Sequence, residues 1–301
     1  MARKNGCIAA LILCGMLLGG AGCGGPASTP LQAQYRREEE RALRYHAKGE
    51  LPQALQAFRD SLRWAELADD RPAIMVQSLQ IGTVALALGE WSVAEQSFWR
   101  AERMAAEIKA SEGVLQARLG FARASLMRGR LDVAREAFAK ALVEGRERGD
   151  EVAALVALNG LGLAQKGLGQ PEEAGQLLSE AETLARARGD KRLLAATLAN
   201  RGDLALRIDG PGRAEPYLAE AIQLDRETEN LPGLTHDLIL LAQVREQRND
   251  LSSALELYRR ALAIAQHTGQ HDPARQCRRA IERLEHESGV PLQQGQVKSI
   301  Q

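Results

Sequence analysis

The chain has 301 residues, and its 39 basic and 39 acidic side chains give a formal net charge of zero. It contains 49 Ala and 44 Leu but only 22 Val and Ile together. Because Ala and Leu favour helices while β-branched and aromatic residues favour strands, this composition argues against an all-β or strand-alternating α/β fold. The balanced charge also argues against nucleic-acid binding, which needs a basic excess to displace the counterions of the phosphates.

The first 22 residues are predicted to be a secretory signal peptide. Arg3 and Lys4 precede an apolar run over residues 7–18, and a stretch of small residues over 19–22 leads to Cys23. This order of basic, apolar and small segments is typical of an export signal. The apolar run is shorter than the roughly 20 residues that span a membrane comfortably, so a stop-transfer helix is the weaker interpretation.

The segment Gly20-Ala21-Gly22-Cys23 resembles the lipobox of bacterial lipoproteins, although Gly20 stands where Leu is usual. The resemblance implies cleavage before Cys23, a diacylglycerol on its sulfur and an acylated amino terminus. Two or more acyl chains hold a protein stably on a membrane. Because Gly24 rather than Asp follows the cysteine, the resemblance points to the outer membrane, with the protein on its periplasmic side. Ordinary cleavage after Ala21, giving a soluble periplasmic protein, is the alternative.

The cysteines agree with this assignment. Cys7 and Cys14 lie inside the signal and Cys23 is the proposed lipidation site, which leaves Cys277 in the body of the chain. No disulfide can form within the processed chain, even in an oxidising compartment. Cys277 is predicted to be a buried core thiol.

Beyond residue 30 the sequence repeats with a period of 40 residues. Each period contains a turn sequence. An Ala follows the start of the turn by five residues, and a small residue precedes it by seven. A large residue then follows that Ala by four residues, and another small residue follows it by seven. The turns start at Gly49, Gly89, Gly129, Gly169, Asp209 and Asn249. The Ala column is Ala54, Ala94, Ala134, Ala174, Ala214 and Ala254, and the large column is Phe58, Phe98, Phe138, Leu178, Leu218 and Tyr258. Small residues at a crossing let two helix backbones approach closely while large residues fill the flanking grooves, so each period is predicted to be a pair of helices.

This pattern resembles the tetratricopeptide repeat (TPR), in the longer-helix variety found in receptor-adaptor and regulator proteins. It departs from the usual repeat in having 40 residues rather than 34 and in lacking the Pro near the repeat end. The resemblance implies an all-α fold, an α-solenoid forming a right-handed superhelix of six helix-turn-helix repeats, with a C-terminal capping helix whose charged face meets solvent. In each repeat we name the first helix A and the second helix B.

Four segments are predicted along the chain. They are the signal peptide (1–22), the lipidated cysteine with a flexible tether (23–30), the TPR solenoid (31–287) and a disordered tail (288–301). The repeats are expected at about 35–70, 75–110, 115–150, 155–190, 195–230 and 235–270, and the capping helix at 272–287.

No catalytic residue, metal site or cofactor is predicted. The sequence contains no Walker-type phosphate loop, Gly-x-Ser-x-Gly or His-Glu-x-x-His motif. His267 and His271 have a spacing that could chelate a metal on one helix, but Gly269 between them is predicted to lie in a turn. Gly160 and Gly162 are interpreted as packing glycines of a helix A. An enzyme is therefore not expected.

The TPR resemblance places the partner-facing residues on helix A. In repeats three to five the candidates are Gln116, Leu119, Arg123, Met127, Asn159, Leu163, Lys166, Asp203 and Arg207, flanked by Leu126, Val156, Gly167, Ala196, Ala199 and Leu206. Apolar anchors with scattered hydrogen-bonding groups suit an extended peptide or a partner helix. The alternatives are inter-repeat core for each Leu and a solvated face for the cations. No repeat supplies the Lys and Asn pair of the chaperone-binding carboxylate clamp.

The sequence thus predicts an outer-membrane-anchored, periplasm-facing scaffold that binds a peptide or protein partner, in envelope assembly, secretion or pilus biogenesis. A self-associating structural protein, and a regulatory subunit of an enzyme or secretion complex, are the alternatives.

Overall fold

The structure, a computed structural model, describes residues 29–288. The signal peptide, Cys23, most of the tether and nearly all of the predicted tail lie outside the described residues. Within them there are 13 helices and no strand, so the expected all-α fold is confirmed. The helices are α1 (Pro30–Ala47), α2 (Leu51–Leu67), α3 (Arg71–Leu88), α4 (Trp91–Glu107), α5 (Ser111–Met127), α6 (Leu131–Glu147), α7 (Glu151–Gly167), α8 (Pro171–Arg188), α9 (Lys191–Ile208), α10 (Pro211–Glu227), α11 (Leu231–Gln247), α12 (Leu251–His267) and α13 (His271–Ser288).

The described residues form two compact units, which meet in sequence between residues 169 and 170. In the described part, the first unit contains α1–α7 and the second contains α8–α13. Within each unit every helix packs against the next one in sequence, as TPR-like helix pairs require. The odd-numbered helices up to α11 are the A helices of the repeats, the even-numbered ones are the B helices, and α13 follows as the last helix. Helix α1 begins at Pro30, which was predicted to be the last residue of the tether.

The small and large columns form the core, as predicted. Every residue of the Ala column is fully buried, and the large column is almost fully buried throughout. Glycine makes room for the larger rings in the first unit: a Cβ atom on Gly82 would lie 2.8 Å from Cζ of Phe98. Gly160 similarly faces the ring of Phe138, which confirms its interpretation as a packing glycine. Cys277 is fully buried, also as predicted.

Each of the twelve turns between the described helices contains one residue with positive φ. Glycine occupies eight of these positions, where it adopts the left-handed conformation without steric cost. The other four are Asp69, Lys109, Glu229 and Asn249. Only Asn249 was expected from the turn sequences, because Lys and Glu rarely adopt this conformation.

Five of the six A helices begin with a side-chain cap. Asp70, Asp150 and Asp190 each accept a hydrogen bond from the backbone N–H three residues later, at 2.9–3.0 Å. Such a cap satisfies a backbone donor that has no partner inside the helix. Ala110 precedes α5 with nearly the same backbone angles as these aspartates but has no side chain that could cap.

Candidate partner-binding surface

Three A helices of the first unit, α3, α5 and α7, form a continuous surface. Helix α5 packs against both α3 and α7, whereas among the described residues no comparable packing joins α2 to α4 or α4 to α6. The exposed and half-buried residues at the partner-facing positions of these three helices are therefore neighbours, and we call them the A surface; Leu79 and Leu86 of this set also pack against the core. The A surface comprises Val76, Leu79, Thr83 and Leu86 of α3, Gln116, Leu119, Arg123, Leu126 and Met127 of α5, and Val156, Leu163 and Lys166 of α7.

The predicted residues on α5 lie on one face of that helix, because their spacing of three, four and seven residues matches the helical period. Gln116 is exposed, and its Nε2 donates to Oε1 of Glu112 at 3.1 Å. Leu119 and Leu126 are half-buried, and Met127 is 49% exposed. Such partly exposed apolar side chains offer contact area to a partner.

The predicted residues on α7 are less accessible than those on α5. Leu163 and Lys166 are half-buried. Asn159 is buried, and its Nδ2 donates to the backbone oxygen of Leu155 at 3.3 Å. Asn159 therefore stabilises its own helix and has little surface to offer a partner.

Arg123 differs from the other arginine of α5. Arg118 pairs with two carboxylates, Glu102 through Nη2 at 2.8 Å and Glu144 through Nη1 at 2.6 Å. Arg123 is exposed, and its guanidinium makes no hydrogen bond or ion pair with any residue in 29–288. Surrounding protein atoms nevertheless lower the pKa of Arg123 by desolvation.

The second unit holds the remaining predicted residues. Nε of Arg207 donates to Oδ1 of Asp203 at 3.1 Å, so these two candidates pair with each other. Leu206 is buried beside them. Together with side chains from α11, α12 and α13 they line a groove of about 360 Å³ whose other members include Tyr258 and Arg283. This arrangement is polar and internally paired, unlike the A surface of the first unit.

A groove on the B-helix side of the first unit was not foreseen from the sequence. It has a volume of about 750 Å³ and lies between α2, α3 and α4. Trp99 in this groove is 52% exposed, and the guanidinium of Arg103 stacks over its ring at 4.9 Å. The available signal was Trp99 itself, a large aromatic residue at a B-helix position where Ala139 and Ser179 stand in later repeats.

The described residues contain no group of three or more His, Cys, Asp or Glu side chains that could hold a metal ion. His267 ends α12 and His271 begins α13, with Gly269 in a left-handed conformation between them. The two histidines therefore do not share one helical face. Among residues 29–288, no helix is both long enough and apolar enough to cross a bilayer.

No protein-family model matches the chain, and no curated protein matches its sequence. Solved structures do match it in fold. The apo form of RapI superposes with a TM-score of 0.62 at 13% sequence identity, covering 85% of this chain and 99% of RapI. The Rap conjugation gene regulator of plasmid pLS20, solved in complex with the Phr* peptide, gives 0.60 at 15% identity, with coverage of 92% and 83%. TPR-like repeats of a kinesin light chain from Podospora anserina give 0.54 at 16% identity, with coverage of 66% and 97%. At these identities the likeness establishes the fold, which is that of TPR-like repeat proteins.

Proposed function

We propose that the chain is an interaction scaffold whose A surface in the first unit binds a peptide or a segment of a protein partner. The observation that carries this proposal is a continuous, largely apolar surface with one cation that no described residue pairs, on helices whose other faces fill the core. The fold supports it, because TPR-like repeats serve as binding scaffolds and one similar structure contains a peptide. The partner's identity does not enter the argument.

We further propose that this scaffold is held at the bacterial outer membrane, on the periplasmic side, by acyl chains on Cys23. The support is the sequence alone: a basic start, a short apolar run and the lipobox-like segment ending in Cys23. An anchored scaffold would concentrate its partner at the membrane, which suits envelope assembly, secretion or pilus biogenesis.

The test is affinity capture from membranes with two matched triple variants. One replaces Gln116, Arg123 and Met127 of α5 with Ala. The control replaces Lys140, Val143 and Glu147 with Ala, which are exposed residues of the neighbouring helix α6. We expect partners captured by the native chain and by the α6 variant to be lost with the α5 variant. Equal capture by both variants would contradict the proposed surface, provided that both keep the native melting temperature.

Self-association is the second candidate function. Exposed apolar side chains on the B helices of the first unit favour it: Leu67 and Trp99 are each more than half exposed. Sedimentation of residues 24–301 over a range of concentrations separates the two functions. A monomer at every concentration excludes self-assembly, whereas association that Trp99→Ala abolishes would support it.

A further inference from the structure

The A surface has an unusual charge pattern. Helices α3, α5 and α7 contain only two carboxylates, Glu112 and Glu151, and both lie within the first two residues of their helices. The first A helix is different, since α1 carries Glu39 at the position that Leu79 takes in α3 and Leu119 takes in α5. By contrast, the B helices α4 and α6 together carry seven acidic residues. An acidic ligand would therefore meet little repulsion along α3, α5 and α7.

One cation on this surface has no hydrogen-bond or ion-pair partner within the part of the chain that the structure describes. Arg123 lies among Leu119, Leu126 and Met127 of its own helix, and Thr83 and Leu163 occupy its position in the adjacent A helices. Lys166, the other cation of the surface, already interacts with another residue. A guanidinium flanked by apolar side chains gains more from a carboxylate than one fully surrounded by water, because the effective dielectric constant beside those side chains is lower.

We infer that the A surface recognises an amphipathic segment of its partner in which apolar side chains flank one Asp or Glu, and that this carboxylate pairs with Arg123. The inference rests on the proposed function and adds the chemistry of the ligand. A carboxylate suits the site better than a phosphate, because one guanidinium can match the single charge of a carboxylate, whereas a phosphate monoester carries close to two negative charges. The surrounding Leu and Met side chains supply contact area but cannot neutralise a second negative charge.

The experiment uses a phage-displayed library of random twelve-residue peptides, selected against the full chain. The enriched peptides are then synthesised in matched Glu and Gln forms. We expect enrichment of peptides with one acidic residue between apolar ones, and at least a tenfold loss of affinity when either Arg123→Gln or the peptide's Glu→Gln change is made. Combining both changes should cause little further loss, because each removes the same contact. Arg213→Gln, at an exposed arginine of α10, should leave the affinity unchanged.

The outcomes separate the inference from the proposed function. Peptides that lack acidic residues, or whose affinity is unchanged by Arg123→Gln but falls with Met127→Ala, would overturn the carboxylate pairing and keep the A surface. Additive losses in the double change would also overturn the pairing. Peptides whose binding is insensitive to both Arg123→Gln and Met127→Ala, or a library that yields no binder at all, would count against the A surface itself. Charge reversal gives a positive control, since Arg123→Glu should prefer a peptide with Lys in place of its Glu.

Discussion

The carboxylate of Asp225 occupies the space that a Cβ atom on Gly233 would fill. Asp225 lies near the end of α10, and Gly233 lies in the first turn of α11. Nδ2 of Asn230, the residue that caps α11, donates to Oδ1 of Asp225 at 2.8 Å. The corresponding positions in the other repeats hold only small residues, Ala65, Ala105, Gly145, Ala185 and Ala265. One repeat thus replaces a small apolar contact with a buried, hydrogen-bonded carboxylate.

A second buried acid lies on α11 and makes stability depend on pH. Burial raises the pKa of Asp237 to about 8, helped by the charge of Asp225, whose own pKa burial raises to about 6. Oδ2 of Asp237 has no hydrogen-bond partner among the described residues. Between the unfolded pKa of 3.8 and about 8, the folded chain binds a proton at Asp237 that the unfolded chain does not. The stabilising effect of that proton is complete below the unfolded pKa and is lost as the pH rises through the folded pKa.

We therefore expect the free energy of unfolding to fall as the pH rises from 6 to 8, by up to about 1.4 kcal/mol per pH unit from this group. Asp237→Asn, which mimics the neutral acid, should flatten the profile in this range. Urea unfolding at pH 6, 7 and 8 measures it, with Asp132→Asn at an exposed position as control. Parallel profiles for the native chain and Asp237→Asn would refute the assignment.

The start of α5 offers a stabilising change. Ala110→Asp places a carboxylate where Asp70 and Asp150 cap their helices, so it should raise the free energy of unfolding by about 1 kcal/mol. The reciprocal change Asp150→Ala removes the bond from the N–H of Ala153 and should lower it by a similar amount. Thermal unfolding of the two variants beside the native chain tests both predicted changes in stability. A destabilised Ala110→Asp variant would show that a side chain at this position does not cap α5.

The turn between α4 and α5 offers a second stabilising change, at Lys109. Lys109 has φ +56°, a left-handed conformation that costs a residue with a Cβ atom about 1–2 kcal/mol. Because Gly also loses more entropy on folding, Lys109→Gly should stabilise by a net amount of about 0.5–1 kcal/mol. Gly149→Lys, at the same point of the next repeat and with nothing near its missing Cβ, should destabilise for the same reason. Denaturant midpoints that shift in the same direction for both variants would contradict this reading of the turns.

The anchor proposal has its own test. Cys23→Ser removes the sulfur that would carry the diacylglycerol, so the protein should move from the membrane fraction to the soluble fraction. Cys14→Ser, inside the same predicted signal, should leave the distribution unchanged. Fractionation followed by immunoblotting measures both, and membrane retention of Cys23→Ser would exclude lipidation at this residue.

The sequence predicted the helix pairs well, because a 40-residue period in small residues can be read without any structure. The burial of Ala134 and Phe138 and the packing role of Gly160 followed directly from that period. It could not reveal that Lys109 and Glu229 adopt positive φ, since neither residue type favours it. Nor could it separate Arg123 from Arg118 on α5, because the difference lies in which carboxylates the neighbouring B helices bring within reach. The division into two units could not be predicted either, because the 40-residue period continues unchanged past residue 169.

Site-specific photo-crosslinking in cells tests the binding surface most directly. A benzophenone amino acid is placed at Met127, on the A surface, or at Val143, on helix α6; the native side chains are 49% and 56% exposed. Because the two positions are equally accessible to solvent, only a partner bound at the A surface would distinguish them. We expect a crosslinked species from position 127 that disappears when Arg123→Gln is added, and none from position 143. Crosslinking from position 143 alone would show that the partner binds the B-helix side and would exclude the A surface as its binding site.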